Sequence, residues 1–398
     1  MEELEQRIQE WIQLNDSEKV LDLGSQSPSI TSLPPFPSGL KKLKFDTVPP
    51  NLMYFPPFPE TLIELSLNCL KSEIFLPESL QNIYIYNSDI SYISSFPKKL
   101  KELKLINISS KNIPSLPKSL EKFCVCYSSL KGITSFPQSL QKIECYCLKI
   151  SKLPPLPKNL KELKCYSNVK LKSLPELPSS LKILNCNNCN ILSLPPLPDS
   201  LEIINISNNP ITSIPPLSKN VKELTCNNSN ISSLPDLPEE LKALSCGFTK
   251  ISSLPILPPT LEFLKCQNLC ITSIPPLPPT LKHLNISNCV DLVDIPEVPK
   301  TLIEFSCVST NLYILPELSD TTYLSCQYCP NLFIQQKHYE SRENYIKRWK
   351  PIWEKYKEIK RRDEIILRCK AVKEELIIKT WHPQRVFDWC FDEEEKLD

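Results

Sequence analysis

The apolar residues of this chain recur in a pattern that starts again every twenty residues. In the copy that begins at Leu181 they stand 0, 3, 5, 10, 13 and 16 residues along, and the copies beginning at Leu201, Val221, Leu241 and Leu261 repeat these positions. A fixed period of this length is typical of a solenoid, in which each turn of the coil is one repeat. The pattern therefore predicts one continuous array rather than several globular domains.

Each repeat has two halves with different predicted conformations. In the first half, L-x-x-L-x-C, two apolar positions lie two residues apart, as side chains on one face of a β-strand do. The second half, such as ILSLPPLP at residues 191–198, holds prolines whose fixed φ and missing N–H donor exclude a helix. A polyproline-like path suits this half because it needs no internal hydrogen bonds. We expect stacked strands to form a parallel sheet on the inner side and the proline segments to follow the outer side.

The array is predicted to span residues 17–333, as about 15 units of 20–22 residues. Two intervals of 21 residues, after Leu160 and Leu281, place the extra residue between the strand and the outer segment. We expect a loop to bulge there, at residues 167–171 and 288–292, without moving the core.

Both ends of the chain differ from the array. Residues 1–16 predict a capping helix, because Leu4, Ile8, Trp11 and Ile12 have the spacing of one apolar helical face. Residues 334–398 predict a helical extension that is broken at Pro351 and ends in an acidic tail. Both helical segments are expected to cover the framework residues that the first and last turns would otherwise expose.

Composition narrows the class of protein. With 46 basic and 45 acidic residues the net charge is +1, so we expect no nucleic-acid partner. The N-terminus has neither a basic start nor a long apolar run, so we expect no signal peptide, no membrane span and a cytoplasmic location. Eight of the 18 cysteines occupy the third framework position and are predicted to be core thiols, since Ile206 takes the same place in a neighbouring unit: Cys145, Cys165, Cys186, Cys226, Cys246, Cys266, Cys307 and Cys326.

Two cysteine pairs have the spacing of half a zinc site. They are Cys186 with Cys189 and Cys326 with Cys329, but each first cysteine is a framework residue and no histidine pair stands at a matching distance. We therefore expect no metal and no other cofactor.

The unit resembles the leucine-rich repeat, and its L-P-x-L-P half is similar to the bacterial-type repeats of the YopM and IpaH effectors. The resemblance covers roughly residues 18–333. It implies a β-rich solenoid, a right-handed superhelix with a parallel concave sheet and an extended convex side, used mainly to bind other proteins. It also implies a structural role for Asn168 and Asn209, in the slot where this family buries an asparagine after the strand. We expect that ladder to be interrupted, because other units hold there Leu148, Cys189, Ser229, Thr249, Leu269, Cys289 and Thr310.

The outward residues of the strands form the predicted concave face. Tyrosine offers a large contact area with little side-chain entropy to lose, and asparagine offers adaptable hydrogen bonds. A merely soluble sheet surface is the alternative at any single residue, but the whole face favours a protein partner. The predicted partner-binding residues are Tyr84, Tyr86, Lys142, Tyr146, Glu162, Lys164, Tyr166, Asn185, Asn187, Asn205 and Asn227.

The C-terminal extension adds two resemblances. Cys390, Phe391 and Asp392 match the Cys-x-Asp motif of the IpaH ubiquitin ligases, but that motif lies in a large catalytic domain, whereas only residues 334–398 follow the array here. Residues 381–395 resemble a signature of otherwise unrelated proteins of mimivirus-type giant viruses, which sets the expected location to host cytoplasm or virion. The chain is thus predicted to be a non-enzymatic interaction scaffold for an unidentified protein partner, with a host protein as the candidate. The alternatives are a ubiquitin ligase acting through Cys390 and a structural component of the virion.

Overall fold

The computed structural model describes residues 2–14, 16, 18–24, 29–319, 321–332 and 351. The N-terminal helix and the array lie in these ranges. The predicted C-terminal helices, apart from Pro351, lie outside the described residues, and so do Cys390 and the signature at 381–395. Among the described residues, no helix has the length and apolar character needed to cross a bilayer.

In the described part of the chain, 16 parallel strands form one sheet in chain order, and this confirms the predicted solenoid. A single helical turn, Ile90–Tyr92, interrupts the extended outer segments within that part of the array. Helix α1 spans Glu2–Leu14, and the strands are β1 Val20–Asp22, β2 Lys42–Lys44, β3 Glu64–Asn68, β4 Asn82–Tyr86, β5 Glu102–Ile106, β6 Lys122–Cys126, β7 Lys142–Tyr146, β8 Glu162–Lys164, β9 Ile183–Asn185, β10 Ile203–Asn205, β11 Glu223–Thr225, β12 Ala243–Ser245, β13 Phe263–Lys265, β14 His283–Asn285, β15 Glu304–Ser306 and β16 Tyr323–Ser325.

The two 21-residue intervals keep the strands in register. Glu162 still pairs with Ile183, because the extra residue enters a β-turn in which the Leu171 N–H donates to the Asn168 carbonyl at 2.9 Å. The second insertion repeats this turn, with the Leu292 N–H donating to the Cys289 carbonyl at 3.2 Å. The prediction that both insertions bulge outside the core is confirmed.

The framework residues fill the space between the sheet and the outer segments. Leu181, Leu184 and Cys186 are fully buried, as are their equivalents in the neighbouring turns. All eight framework cysteines are buried and free, as predicted. Burial raises the pKa of all of these thiols but Cys326, and that of Cys226 to about 12, so the raised thiols are neutral apolar groups at physiological pH.

The polar slot after the strand is more continuous than the sequence indicated. Asn209 accepts from the Ile191 N–H at 3.0 Å and donates to the carbonyls of Cys186, Ile206 and Ser207 at 2.9–3.1 Å. Asn168 makes the same kinds of bond. Five smaller side chains in this slot also donate to backbone carbonyls, namely Cys189, Ser229, Thr249, Cys289 and Thr310. Apolar residues such as Leu148 and Leu269 have no donor and interrupt the ladder.

Two further columns were not foreseen from the sequence. The residue before the first leucine of a unit is often Ser or Thr, and its hydroxyl donates to the leucine carbonyl one turn earlier, as Ser200 does to Leu181 at 2.6 Å. The residue seven positions after that leucine adopts a left-handed backbone in 14 of the described turns, with φ of 53° at Asn188. Asparagine suits this conformation, but Tyr127 also adopts it, with φ of 51°.

Helix α1 packs on the first turn through Leu4, Ile8 and Trp11. The Trp11 Nε1–H donates to the Lys19 carbonyl at 3.1 Å, and this bond joins the helix to the chain just before the open edge of β1. Ile12 does not belong to the buried face, because 46% of its surface is exposed. The prediction was wrong for this residue.

Loss of the Asn209 carboxamide should destabilise the array. The Asn209→Leu substitution, which copies the residue that Leu148 and Leu269 supply elsewhere, leaves the Ile191 N–H and the Cys186 carbonyl without their partner. We expect the free energy of unfolding to fall by about 3 kcal/mol in denaturant titration. Asn209→Thr is the matched control, because Thr249 shows that a hydroxyl here still reaches a strand carbonyl. Equal losses for both variants would contradict this role.

Thiol burial should make stability depend on pH. An unfolded thiol ionises near pH 8.5, whereas Cys226 keeps its proton up to about pH 12. Above about pH 8.5 the folded state therefore binds more protons than the unfolded state, and the free energy of unfolding falls as pH rises. Each such thiol contributes a slope of about 1.4 kcal/mol per pH unit.

The Cys226→Ile variant tests this linkage, because Ile206 shows that isoleucine fits the slot. Denaturant titrations from pH 7 to pH 10 should give a slope shallower than that of the wild type by one thiol's share. Identical slopes for the two proteins would show that this cysteine is not protected from ionisation.

Candidate functional site

Three columns of side chains cover the concave face of the sheet. They come from the outward positions of each strand and, after a three-residue strand, from the residue two positions beyond its end, because side chains alternate between the two faces. The predicted residues lie in these columns. Tyr84 and Tyr86 stand on β4. The other predicted charged and aromatic residues stand on or just after β7 and β8, which are three and four strands away, or about 14 and 19 Å: Lys142, Tyr146, Glu162, Lys164 and Tyr166.

Stacked tyrosines form the aromatic part of the site. The rings of Tyr146 and Tyr166 are parallel within 11°, with centroids 4.4 Å apart. Tyr127 meets the Tyr146 ring edge-on at 5.7 Å. Sequence reasoning missed Tyr127 because it follows β6 in the left-handed position and is not one of the outward residues of a strand. The sequence signal that could have revealed this conformation is the asparagine, such as Asn188, that stands at the same position in other turns.

Four charged side chains alternate in sign beside the tyrosines. Lys142 Nζ lies 3.0 Å from Glu144 Oε1 and 3.4 Å from Glu162 Oε2. Lys164 Nζ lies 2.5 Å from Glu162 Oε1 and 3.5 Å from Glu144 Oε1. Burial alone would raise the pKa of Glu144, but the two lysines outweigh it and the pKa is lowered. This cluster is therefore ionised, internally paired and without net charge.

We name the six residues Lys142, Glu144, Tyr146, Glu162, Lys164 and Tyr166 the β7–β8 patch. Glu144 was not among the predicted residues, although its position two residues after Lys142 places it on the same face.

Three of the four predicted asparagines also bond to the backbone of the sheet. The Oδ1 atoms of Asn185 and Asn205 accept from the backbone N–H groups of Asn187 and Ser207, at 3.3 and 3.2 Å. Asn227 Oδ1 accepts from the Gly247 N–H at 2.8 Å. The acceptor atoms of these three residues thus serve the backbone of the sheet.

Cys124 and Cys126 lie on the same face, between the two tyrosine groups. A hydrogen bond from the Cys124 thiol lowers the pKa of Cys126 to about 7, with a further contribution from the Tyr146 hydroxyl. Cys126 has no exposed surface, and its hydrogen bond with the Tyr146 hydroxyl holds that side chain in place. In the described part of the chain, no three His, Cys, Asp or Glu side chains group closely enough to hold a metal ion.

Comparison with protein-family models and with curated proteins finds no match. Several solved structures are similar. The leucine-rich effector protein YopM of Yersinia pestis is 27% identical, with a TM-score of 0.69, and the match covers 82% of this chain and 93% of that one. YopM of Yersinia enterocolitica is 22% identical, with a TM-score of 0.56, over 85% and 93% of the two chains. A leucine-rich-repeat protein of Leptospira interrogans is 18% identical, with a TM-score of 0.54, over 79% and 97%. The fold of this chain is therefore that of the leucine-rich-repeat proteins.

Proposed function

We propose that this chain is a non-enzymatic scaffold that binds a protein partner on the concave face of its array, at the β7–β8 patch. The observation that carries the proposal is the stack of Tyr146 and Tyr166. Tyr127 contacts the Tyr146 ring edge-on, and Cys126 is hydrogen-bonded to the Tyr146 hydroxyl. Tyrosines fixed in this way lose little entropy when a partner covers them, which is a property of interface hot spots.

The electrostatics of the patch support a protein partner rather than a nucleic acid. Its two lysines are paired with two glutamates, so phosphate groups would have to displace existing ion pairs to reach a cation. Burial raises the pKa of Tyr84 to about 12, so this more distant phenol is also uncharged at neutral pH and can donate a hydrogen bond.

The setting of the protein is part of the same proposal. The likeness of residues 381–395 to a giant-virus signature supports a viral source, with host cytoplasm or virion as the location. The L-P-x-L-P sequence of the outer segments supports the proposal that the repeats are of the bacterial YopM type. A viral scaffold and a bacterial one with this sequence would present the same concave face.

Alanine substitutions in the tyrosine stack should weaken partner binding without unfolding the array. We expect Tyr146→Ala and Tyr166→Ala each to lower the affinity at least about tenfold, because hot-spot truncations cost about 2 kcal/mol or more. The measurement is affinity capture from cell extract with tagged protein, quantified by mass spectrometry, followed by titration of the recovered partner.

Tyr313→Ala is the matched control, since Tyr313 is 59% exposed and follows the buried outer-side residue Leu312. Unfolding temperatures of all variants verify that the fold is retained. Recovery that is unchanged by the two concave substitutions, or reduced equally by Tyr313→Ala, would contradict binding at the β7–β8 patch.

A further inference from the structure

The column of stacked rings ends abruptly beside β9. Tyr146 and Tyr166 occupy the same column in successive turns, and the next residue of that column is Asn187, whose side chain is much smaller. A depression of about 290 Å³ lies at this step, lined by Glu144, Tyr146, Lys164, Tyr166, Asn185 and Asn187. The depression thus lies where a third planar group would continue the stack.

Two acceptors at this depression point to a ligand that donates hydrogen bonds. Asn187 lines the depression, and its Oδ1 atom has almost no exposed surface and no donor within the described residues, so a ligand reaches this atom once the carboxamide turns about the Cβ–Cγ bond. Both lysines that pair with Glu144 approach its Oε1 atom, so neither ion pair uses Oε2. A buried acceptor without a donor costs about 1–3 kcal/mol, and a donor supplied by a ligand recovers this energy.

From this geometry we propose that the depression receives an arginine side chain of the protein partner. The guanidinium group would stack on the outer face of Tyr166 and donate to Glu144 and Asn187. Arginine is planar, carries five N–H donors and stacks on aromatic faces, whereas lysine has a compact ammonium group and a carboxylate has no donor. The inference rests on the proposed concave-face function and specifies the chemistry of the partner.

The charges around the depression permit this ligand. Lys164 lines it, but its ammonium group lies 2.5 Å from Glu162 and is thereby neutralised. The whole β7–β8 patch has no net charge, so an incoming cation meets no general repulsion. Glu144 is the acidic residue of the patch that lines the depression.

Short peptides test the inference without the natural partner. The probe is acetyl-Gly-Arg-Gly-amide, and the matched peptides replace arginine by citrulline, which is planar but uncharged, or by lysine, which is charged but not planar. The protein carries fluorotyrosine, and the Tyr166 fluorine resonance is assigned with the Tyr166→Phe variant. We expect the arginine peptide to shift this resonance saturably, with a dissociation constant of about 1 mM, and the other two peptides to bind at least about fivefold more weakly.

Substitutions locate the peptide. Glu144→Gln and Asn187→Ala should each weaken binding of the arginine peptide at least about threefold, which is the lower end of the contribution of a single hydrogen bond. Glu304→Gln, on β15 of the same face, should leave binding unchanged. No saturable shift in the millimolar range, equal binding of the three peptides, or insensitivity to both Glu144→Gln and Asn187→Ala would overturn the proposal.

The peptide result is separable from the capture experiment above. If Tyr146→Ala and Tyr166→Ala release the captured partner while the arginine peptide fails to bind, the scaffold function holds and the arginine inference is wrong. If the peptide binds while partner capture ignores both tyrosines, the depression recognises arginine but is not the main contact with the captured partner.

Discussion

Backbone hydrogen bonds between neighbouring turns are the interaction on which the rest of this structure depends. A parallel strand donates and accepts on both sides, so each turn must meet the turn before it and the turn after it in the same register. A slip of one residue would turn the apolar framework outward. The chain keeps this register even in a turn that has one extra residue. Glu162 meets Ile183 across a 21-residue interval because the surplus residue is placed in a β-turn outside the sheet.

The geometry of the concave face follows from that register. Equivalent side chains stand about 4.8 Å apart on neighbouring strands, which is close to the distance at which planar rings stack. Tyr146 and Tyr166 lie 4.4 Å apart, and Phe263 and His283 lie 4.5 Å apart on β13 and β14. Ion pairs such as Lys142 with Glu162 use the same spacing. The sheet thus fixes the positions of the side chains, and substitution on this face can change its chemistry without disturbing the core.

The twenty-residue period predicts those features of the fold that depend on which residues are buried. The strands, the thiols such as Cys186 and the sites of insertion follow from the twenty-residue period, since each depends on which positions face inward. The period does not reveal features that depend on turn conformation or on side-chain rotamers. Tyr127 joins the aromatic stack because of a left-handed backbone that its residue type does not indicate. Ile12 has helical spacing, but α1 contacts the first turn over a narrower face than the sequence suggests.

Asn185 and Asn205 show that residue identity alone does not reveal which polar atoms are already bonded within the sheet. Asn185 and Asn205 face outward as expected, but their carbonyl oxygens hold backbone N–H groups that strand pairing leaves unsatisfied. A partner that covered them would gain few new hydrogen bonds, although it would lose little by desolvation. Under the proposed function, the β9–β10 part of the face therefore contributes shape rather than affinity, in the way that neutral residues surround a hot spot. The proposed binding energy is then concentrated at the β7–β8 patch and the step beside it, where exposed ring surface and an acceptor without a donor lie together.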